Sequence, residues 1–186
     1  YWPMSPGQEN LSPETLGRIN AYMKNGGTIL FDTRDQGQQI GGGVSPGTET
    51  LRRLLGRLDL PPLEPVPPDH VLTKSFYLMH RFPGRWDGGP LWVEAALRDA
   101  NETARPARTA DGVSAIIITS NDLAGAWAVG DDRRPLYPVA LGGDLQREMA
   151  YRTGVNRVMY TLTRNYKGDQ VHAPAQLERL GEEGWS

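Results

Sequence analysis

Two polar clusters carry the residue types that could do chemistry in this sequence. Asp32, Arg34 and Asp35 follow the apolar run in "GGTILFDTRDQ". Asn121 and Asp122 follow another apolar run, in "AIIITSND". A guanidinium between carboxylates can bind an acidic ligand, and the carboxylates can bind a cation or a hydroxylated ligand. These five residues are therefore the first candidates for a ligand-binding site.

The positions of the clusters along the chain indicate how they could meet. In open α/β sheets, ligands bind in the crevice beyond the carboxyl ends of the strands, and each cluster follows a run with the character of a buried strand. If the two strands are neighbours, the clusters share one rim. Arg81 and Arg85, from the aromatic segment "SFYLMHRFPGRW", are further cations that could face this rim.

A purely structural interpretation of the same residues is favoured over the ligand-binding one. Asp and Asn after a strand often satisfy loop amides, and an arginine between two aspartates often forms an ordinary ion pair. We expect Arg34 to pair with at least one carboxylate, because an unpaired guanidinium at a partly buried rim carries a desolvation penalty of several kcal/mol.

Several kinds of catalytic and cofactor site have no support in the sequence. There is no cysteine, which excludes disulfides, thiolate metal sites and a cysteine nucleophile. The three histidines, His70, His80 and His172, are not paired at metal-ligand spacing. The glycine-rich residues 36–48 lack the P-loop lysine and the dinucleotide glycine spacing, which favours a flexible lid or rim. No "GXSXG" elbow is present, so the sequence predicts no catalytic residue, no metal and no cofactor.

Local signals in the first third of the chain place the elements that must position the rim. The pair Ser12-Pro13 marks a helix start, and the pair Gly26-Gly27 marks its end. Residues 28–31 then predict a short strand that is buried on both faces. Thr48 is expected to cap the next helix. The inward residues of the two helices are Leu16, Ile19, Tyr22 and Met23 in the first, and Leu51, Leu54, Leu55 and Leu58 in the second.

The middle of the chain is predicted to contain two further strands. The prolines of residues 59–70 indicate an extended connection rather than regular structure. Residues 91–95 and 113–119 have the composition of strands. The polar residues 98–111 between them are interpreted as a long hairpin loop.

The last long helix is predicted to run from about Asp144 to about Arg164. Its inward residues are expected to be Met149, Val155, Val158, Met159 and Leu162. Arg152 and Asn156 lie one turn apart on the same helix, where a buried pair would brace neighbouring loops.

The size, charge and order of elements indicate one soluble-type α/β domain over residues 1–186. Helices that alternate with short buried strands predict a three-layer domain with a mainly parallel sheet. A formal net charge of −2 gives no electrostatic case for nucleic acid or for an anionic membrane surface. No apolar run approaches the roughly 20 residues needed to span a bilayer.

Several long strings resemble a bacterial family known as domain of unknown function 4159. They include "YWPMSP", "INAYMKNGGTILFDTRDQ", "LEPVPPDHVLTKSFYLMHRFPGRW" and "REMAYRTGVNRVMYTLTRNYKGDQVHAPAQLERL". The resemblance implies a flavodoxin-like fold of the class I glutamine amidotransferase type. Amidotransferases of that type use a cysteine nucleophile with a histidine partner, and this chain has no cysteine, so glutaminase activity is not expected.

The resemblance also implies a membrane context. Members of this family often form the C-terminal region of a double-transmembrane, aerotolerance-regulator-like membrane protein. We therefore expect a bacterial, membrane-associated location through other parts of a parent protein, with the side of the membrane left open. The start at "YWPMSP" has the look of a strand entering a loop, and we expect an upstream strand and helix in the parent.

Three functional interpretations remain open at this point. The favoured one is a non-catalytic, amidotransferase-like domain that binds a small ligand or a protein partner in the cell envelope. The alternative is a carboxylate- or metal-dependent hydrolase that uses Asp32, Asp35 and Asp122 as acid, base or cation ligands. The third is a structural spacer whose charged rim is only surface.

Overall fold

The fold is a mixed α/β arrangement built on a five-stranded open sheet. A computed structural model describes residues 1–38, 44–58, 60–95, 97–98, 104–105 and 113–162. The strands are β1 (Trp2–Pro3), β2 (Ile29–Asp32), β3 (Leu63–Pro65), β4 (Trp92–Glu94), β5 (Leu97–Arg98), β6 (Ala104–Arg105) and β7 (Ile116–Thr119). The large sheet has the order β1-β2-β7-β4-β3, and β5 and β6 form a separate pair.

The large sheet is half parallel and half antiparallel. β2 pairs in parallel with β1 on one side and with β7 on the other. β4 runs antiparallel to both β7 and β3. The strands predicted to be interior and parallel, at residues 28–31 and 115–119, are therefore confirmed as β2 and β7, which pair in parallel with each other. The expectation of a mainly parallel sheet is not confirmed, because β4 forms antiparallel pairs on both of its sides.

Four α-helices flank the sheet in the part of the chain that the structure describes: α1 (Pro13–Lys24), α2 (Pro46–Leu55), α3 (Leu123–Trp127) and α4 (Gly143–Leu162). Ser12 caps α1 by accepting a hydrogen bond from the Thr15 amide, which confirms the predicted start. The expected cap of α2 at Thr48 is wrong. Ser45 caps this helix and accepts from the Thr48 amide, because the chain repeats the serine-proline start of α1.

Two apolar clusters pack on opposite faces of the sheet. The first joins the inward leucines of α1 and α2 to Phe31 and Ile116. The second joins Leu30 and Ile117 to α3, to α4 and to the loops after β3. Because successive residues of a strand point to opposite faces, β2 and β7 contribute to both clusters. This two-sided burial explains why both strands read as continuous apolar runs.

Two sequence predictions about the second half of the chain need correction. Residues 59–70 are not wholly irregular, since they contain β3, which lies at the edge of the sheet where proline is tolerated. The expected inward face of α4 is wrong at Val155, Val158 and Leu162, which are exposed, whereas Met149 packs against the second apolar cluster. The predicted helix end at Arg164, most of the residue 98–111 excursion and residues 39–43 of the glycine-rich loop lie outside the described residues.

Among the residues that the structure describes, no helix combines the length and the apolar character needed to cross a bilayer.

Candidate functional site

The two polar clusters meet where β2 and β7 end side by side. Asp32, the last residue of β2, is in register with Thr119, the last residue of β7. The pairing continues past the strand ends, where the Gln36 amide donates to the Ser120 carbonyl over 3.0 Å. We call the five residues Asp32, Arg34, Asp35, Asn121 and Asp122 the rim. The structure thus brings together the clusters that the sequence placed at one edge of the sheet.

Asp32 is fully buried at 0% exposure and accepts four hydrogen bonds from the protein itself. Its Oδ2 accepts from the Tyr1 hydroxyl at 2.7 Å and from the Leu123 amide at 2.8 Å. Its Oδ1 accepts from the Arg34 amide at 3.0 Å and from the Asp122 amide at 3.2 Å. This carboxylate therefore joins Tyr1, the residue before β1, to the turn after β2 and to the N-terminus of α3.

Burial shifts the pKa values of the two partners in the shortest of these bonds. Desolvation raises the pKa of Asp32, against the lowering effect of its hydrogen bonds to Tyr1 and to the Leu123, Arg34 and Asp122 amides. Desolvation, followed by the charge of Asp32, also raises the pKa of the Tyr1 hydroxyl. Tyr1 therefore remains a donor to Asp32, and it accepts from the Ala124 amide at 3.1 Å.

Asp35 is buried and serves the start of α2. Its Oδ1 accepts from the Thr33 hydroxyl at 2.5 Å. Its Oδ2 accepts from the Thr48 hydroxyl at 2.8 Å, from the Thr48 amide at 3.2 Å and from the Ser45 hydroxyl. A carboxylate at this place is favoured by the positive end of the helix dipole. Asp35 is thus a second cap for α2.

Asn121 uses its amide group to hold the loop of residues 82–89. Its Nδ2 donates to the carbonyls of Phe82 at 2.9 Å and Gly89 at 3.0 Å, and its Oδ1 accepts from the Gly89 amide at 3.1 Å. Because the side chain is 1% exposed, these bonds satisfy a group that water does not reach.

Asp122 caps α3 from a left-handed backbone conformation with φ of 55°. Its Oδ1 accepts from the Gly125 amide at 3.2 Å. Its Oδ2 lies 3.8 Å from the Arg85 guanidinium, which makes Arg85 the cation of the aromatic segment that faces the rim. Arg85 also lies over the rings of Trp86 and Tyr137, at 4.9 Å and 5.1 Å from their centroids.

The two other predicted cations do not bind rim carboxylates. Arg34 is exposed and donates to the Met4 carbonyl at 2.7 Å, so the expected pairing with a carboxylate is wrong among the described residues. Its backbone is left-handed, with φ of 59°, and the exposed side chain avoids the desolvation penalty that motivated the prediction. Arg81 forms an ion pair with Asp87 at 2.6 Å on the surface.

The crevice beyond the rim is occupied by the protein's own loop of residues 82–89. A Cβ on Gly84 would lie 2.3 Å from the Asn121 carbonyl oxygen, and one on Gly89 would lie 2.5 Å from the Asn121 Oδ1. A Cβ on Gly37 would lie 2.6 Å from the Trp86 ring. Glycine at these positions lets the loop pack directly on the strand ends, where other α/β sheets place a ligand.

The buried face of α4 fixes the other part of this loop region. Asn156 donates from Nδ2 to the carbonyls of Leu72 at 3.0 Å and Tyr77 at 2.8 Å, and it accepts from the Tyr77 amide at 2.7 Å. Gln146 donates to the carbonyls of Gly84 and Arg85 at 2.9 Å and 3.0 Å. The interpretation of Asn156 as a loop brace is confirmed. Arg152 is instead part of a surface ion pair with Glu148.

Sequence reasoning missed two residues that belong to the same region. Tyr1 is 31 positions from Asp32, and no local pattern announces their contact. Arg157 on α4 is buried, and its Nη1 has no hydrogen-bond acceptor among the described residues. Desolvation lowers the pKa of Arg157 to about 10, while the charges of Tyr160, Asp32 and Tyr1 act in the opposite direction. A helical projection that counts polar as well as apolar residues is the signal that would have placed Arg157 inward.

The side-chain oxygens of the rim accept hydrogen bonds from backbone amides and are not arranged around a common point. The described residues contain no group of three or more His, Asp or Glu side chains arranged to hold a metal ion. His70 accepts from the Leu72 amide at 3.2 Å and caps a short 3-10 turn, and burial lowers its pKa. His172 lies outside the described residues.

Comparison with known proteins identifies the family of the chain. No curated protein matches the sequence. A family model described as "Domain of unknown function (DUF4159)" matches residues 1–162, which covers all the elements described above. The chain therefore belongs to the family of domain of unknown function 4159.

Proposed function

We propose that this chain is a non-catalytic binding domain whose partner is a protein, within a membrane-associated bacterial protein. The observation that carries the proposal is the set of hydrogen bonds that the buried Asp32 carboxylate accepts. Four donors of the protein surround this buried carboxylate, which leaves it as a structural junction and not as a group that meets a substrate. Because the rim side chains bind the protein's own backbone, we place the contact with a partner on the outer surface of the domain.

The hydrolase alternative has weaker support. It needs at least two carboxylates that converge on one substrate or cation. Asp35 accepts from an amide at the start of α2, and Asp32 and Asp122 both accept from amides at the start of α3, so all three acids are used as acceptors for the protein's own backbone. The packed loop of residues 82–89 also fills the place that a substrate would need.

An amidotransferase-like, flavodoxin-like origin for the domain is part of the proposal. Its support is the parallel set β1-β2-β7 with helices packed on both faces. The antiparallel strands β4 and β3 are then a departure from that architecture. The membrane association and the bacterial envelope location are proposed on the family resemblance, through other parts of a parent protein.

The replacement Asp32→Ala tests the structural assignment of the rim. It leaves three backbone amides and the Tyr1 hydroxyl without their acceptor, so we expect the free energy of unfolding to fall by about 3 kcal/mol in urea denaturation. Asp132→Ala is the matched control, because it removes an exposed aspartate near Arg134, and we expect a change within about 0.5 kcal/mol.

The hydrolase interpretation makes the opposite prediction. Purified protein would then cleave generic ester or phosphodiester substrates, and Asp32→Ala would abolish turnover with little loss of stability. Turnover that tracks Asp32, or a rise in melting temperature with added Mg²⁺ or Mn²⁺ that Asp32→Ala removes, would replace the proposed function.

A further inference from the structure

The long helix α4 buries several polar side chains and exposes several apolar ones. Its inward residues include the polar side chains of Gln146, Thr153, Asn156 and Arg157. The outward side of its last three turns instead carries four apolar or aromatic side chains, Tyr151, Val155, Val158 and Leu162, which are between 38% and 59% exposed. A surface helix of a monomeric protein normally shows the reverse pattern.

The four outward residues, which we call the α4 stripe, follow the spacing of a helix-pairing seam. They are separated by 4, 3 and 4 positions, which is the alternation of a left-handed helix pair. No charged residue lies at a seam position between Tyr151 and Leu162. The spacing alone therefore points to a second helix as the occupant.

The order of side chains within the stripe identifies that helix as a second copy of α4. Its side chains follow the order large, valine, valine, large, whether the stripe is followed from Tyr151 or from Leu162. In an antiparallel pair about a two-fold axis, Val155 lies opposite Val158 of the second copy, and Tyr151 lies opposite Leu162. A two-fold interface requires such a self-complementary patch. We propose that two copies of this chain associate through the α4 stripe as an antiparallel helix pair.

Charge placement favours this arrangement over other ways of pairing two α4 helices. The seam positions before the stripe are Asp144 and Glu148. In a parallel pair in register, Asp144 would face Asp144 of the second copy and Glu148 would face Glu148. In an antiparallel pair shifted by one heptad, Glu148 would face Val158 of the second copy. The antiparallel register keeps both acids outside the apolar contact.

The area of a stable interface requires more surface than the stripe itself. A stable interface buries about 800 Å² on each partner, which is more than four side chains supply. Phe76 and Leu78 are exposed in the loop that Asn156 holds against the same helix through Tyr77. Both are the candidates to extend the buried area, because their loop is held against α4.

This inference rests on the proposed role as a binding domain, and it names a second copy as the partner. Its test measures oligomeric state by sedimentation and light scattering on the full chain. We expect a species of twice the 20.5 kDa chain mass for the native sequence. Val155→Glu and Val158→Lys should each weaken the dimer at least tenfold, because each places two charges in the apolar seam.

Mixing the two variants tests the antiparallel register. In a mixed pair, Glu at position 155 of one copy faces Lys at position 158 of the other, and the remaining contact is the native pair of valines. We therefore expect the mixture to recover dimer that neither variant forms alone. A parallel pair would place each new charge opposite a valine, so mixing would form no Glu–Lys contact and would recover much less dimer than the antiparallel register does.

Val44→Glu is the matched control. Val44 is 57% exposed, close to the 59% of Val158, and it precedes α2 at the opposite face of the sheet. This variant should remain dimeric, and circular dichroism should show all variants folded, since every replaced side chain is exposed. A monomeric native chain at high concentration, or a dimer that Val155→Glu leaves intact, would overturn the inference without touching the rim assays.

Discussion

At the scale of single residues, the rim shows that residue types common in active sites can serve a structural role. Asp32 and Asp35 are both buried carboxylates at strand-end turns, and both accept several hydrogen bonds from nearby amides and hydroxyls. Buried polar groups must be paired, and a carboxylate can satisfy several donors at once. Their chemistry is therefore used to hold a turn and two helix ends in place.

The raised pKa of Asp32 gives a residue-scale prediction about pH. Because burial raises its pKa in the folded state, the folded protein takes up a proton at a higher pH than the unfolded chain does. Asp32 thus contributes stability that is present below its unfolded pKa and is lost as the pH rises through its folded pKa. Asp32→Asn cannot titrate, so the native chain should gain stability relative to this variant on acidification.

Urea denaturation of the native chain and of Asp32→Asn between about pH 4 and about pH 8 measures this difference. The difference in unfolding free energy should move in favour of the native chain as the pH falls. A difference that is constant, or that moves toward the variant at low pH, would contradict a raised pKa.

At the scale of elements, α4 braces two loop regions: Asn156 holds residues 72–77, and Gln146 holds the loop of residues 82–89 that closes the crevice. We expect Asn156→Ala to lower the free energy of unfolding by about 3 kcal/mol, because two carbonyls and the Tyr77 amide lose a buried partner. Hydrogen exchange at the Tyr77 amide should become faster than exchange in β7. Glu148→Ala, which breaks only an exposed ion pair on the same helix, should change stability by no more than about 0.5 kcal/mol.

The loop of residues 82–89 gives a second element-scale prediction, with a control in α1. Gly84→Ala should destabilise the fold by about 2 kcal/mol or more, since its Cβ would press on the backbone of Asn121. Gly17→Ala should instead stabilise by up to about 1 kcal/mol, because Gly17 lies inside α1 with nothing within 4 Å of its Cβ position. Equal melting temperatures for the two variants would show that the loop does not pack on the rim as described.

Elements whose cause is local could be predicted from the sequence. The cap at Ser12, the leucine stripe of α2 and the interior strands β2 and β7 all follow from short patterns of residue type. The inward face of α4 could not, because that helix buries polar residues and exposes apolar ones. Hydrophobic periodicity then selects the wrong side of the helix.

For the rim, too, one part could be predicted from the sequence and another part could not. Its convergence follows from two parallel strands that end together, and the sequence shows both strands. The partners of its charged groups depend on distant contacts and on backbone geometry. Tyr1 reaches Asp32 from the position before β1, and the left-handed turn at Arg34 directs its side chain to Met4. Neither can be read from spacing.

At the scale of the whole molecule, a closed rim and an open helix face suggest where interactions occur. The polar crevice is packed by the chain's own loop, while α4 carries the largest run of exposed apolar side chains on one element of the part of the chain that the structure describes. Exposed apolar stripes of this kind mark interaction surfaces. The element that braces the interior therefore also presents the surface for association.

Association of two chains should make thermal stability depend on protein concentration. A tenfold rise in concentration favours a folded dimer by about 1.4 kcal/mol, or about 0.7 kcal/mol for each chain. For a chain of 186 residues this corresponds to a rise in melting temperature of roughly 1–3 °C for each tenfold step. Scanning calorimetry over two such steps measures it. Val155→Glu should show a melting temperature that is lower and independent of concentration, because a monomer gains nothing from mass action, whereas Val44→Glu should keep the native slope. A native melting temperature that does not move with concentration would mean that the α4 stripe stays uncovered in the isolated chain, and the binding surface would then have to be matched to a different protein.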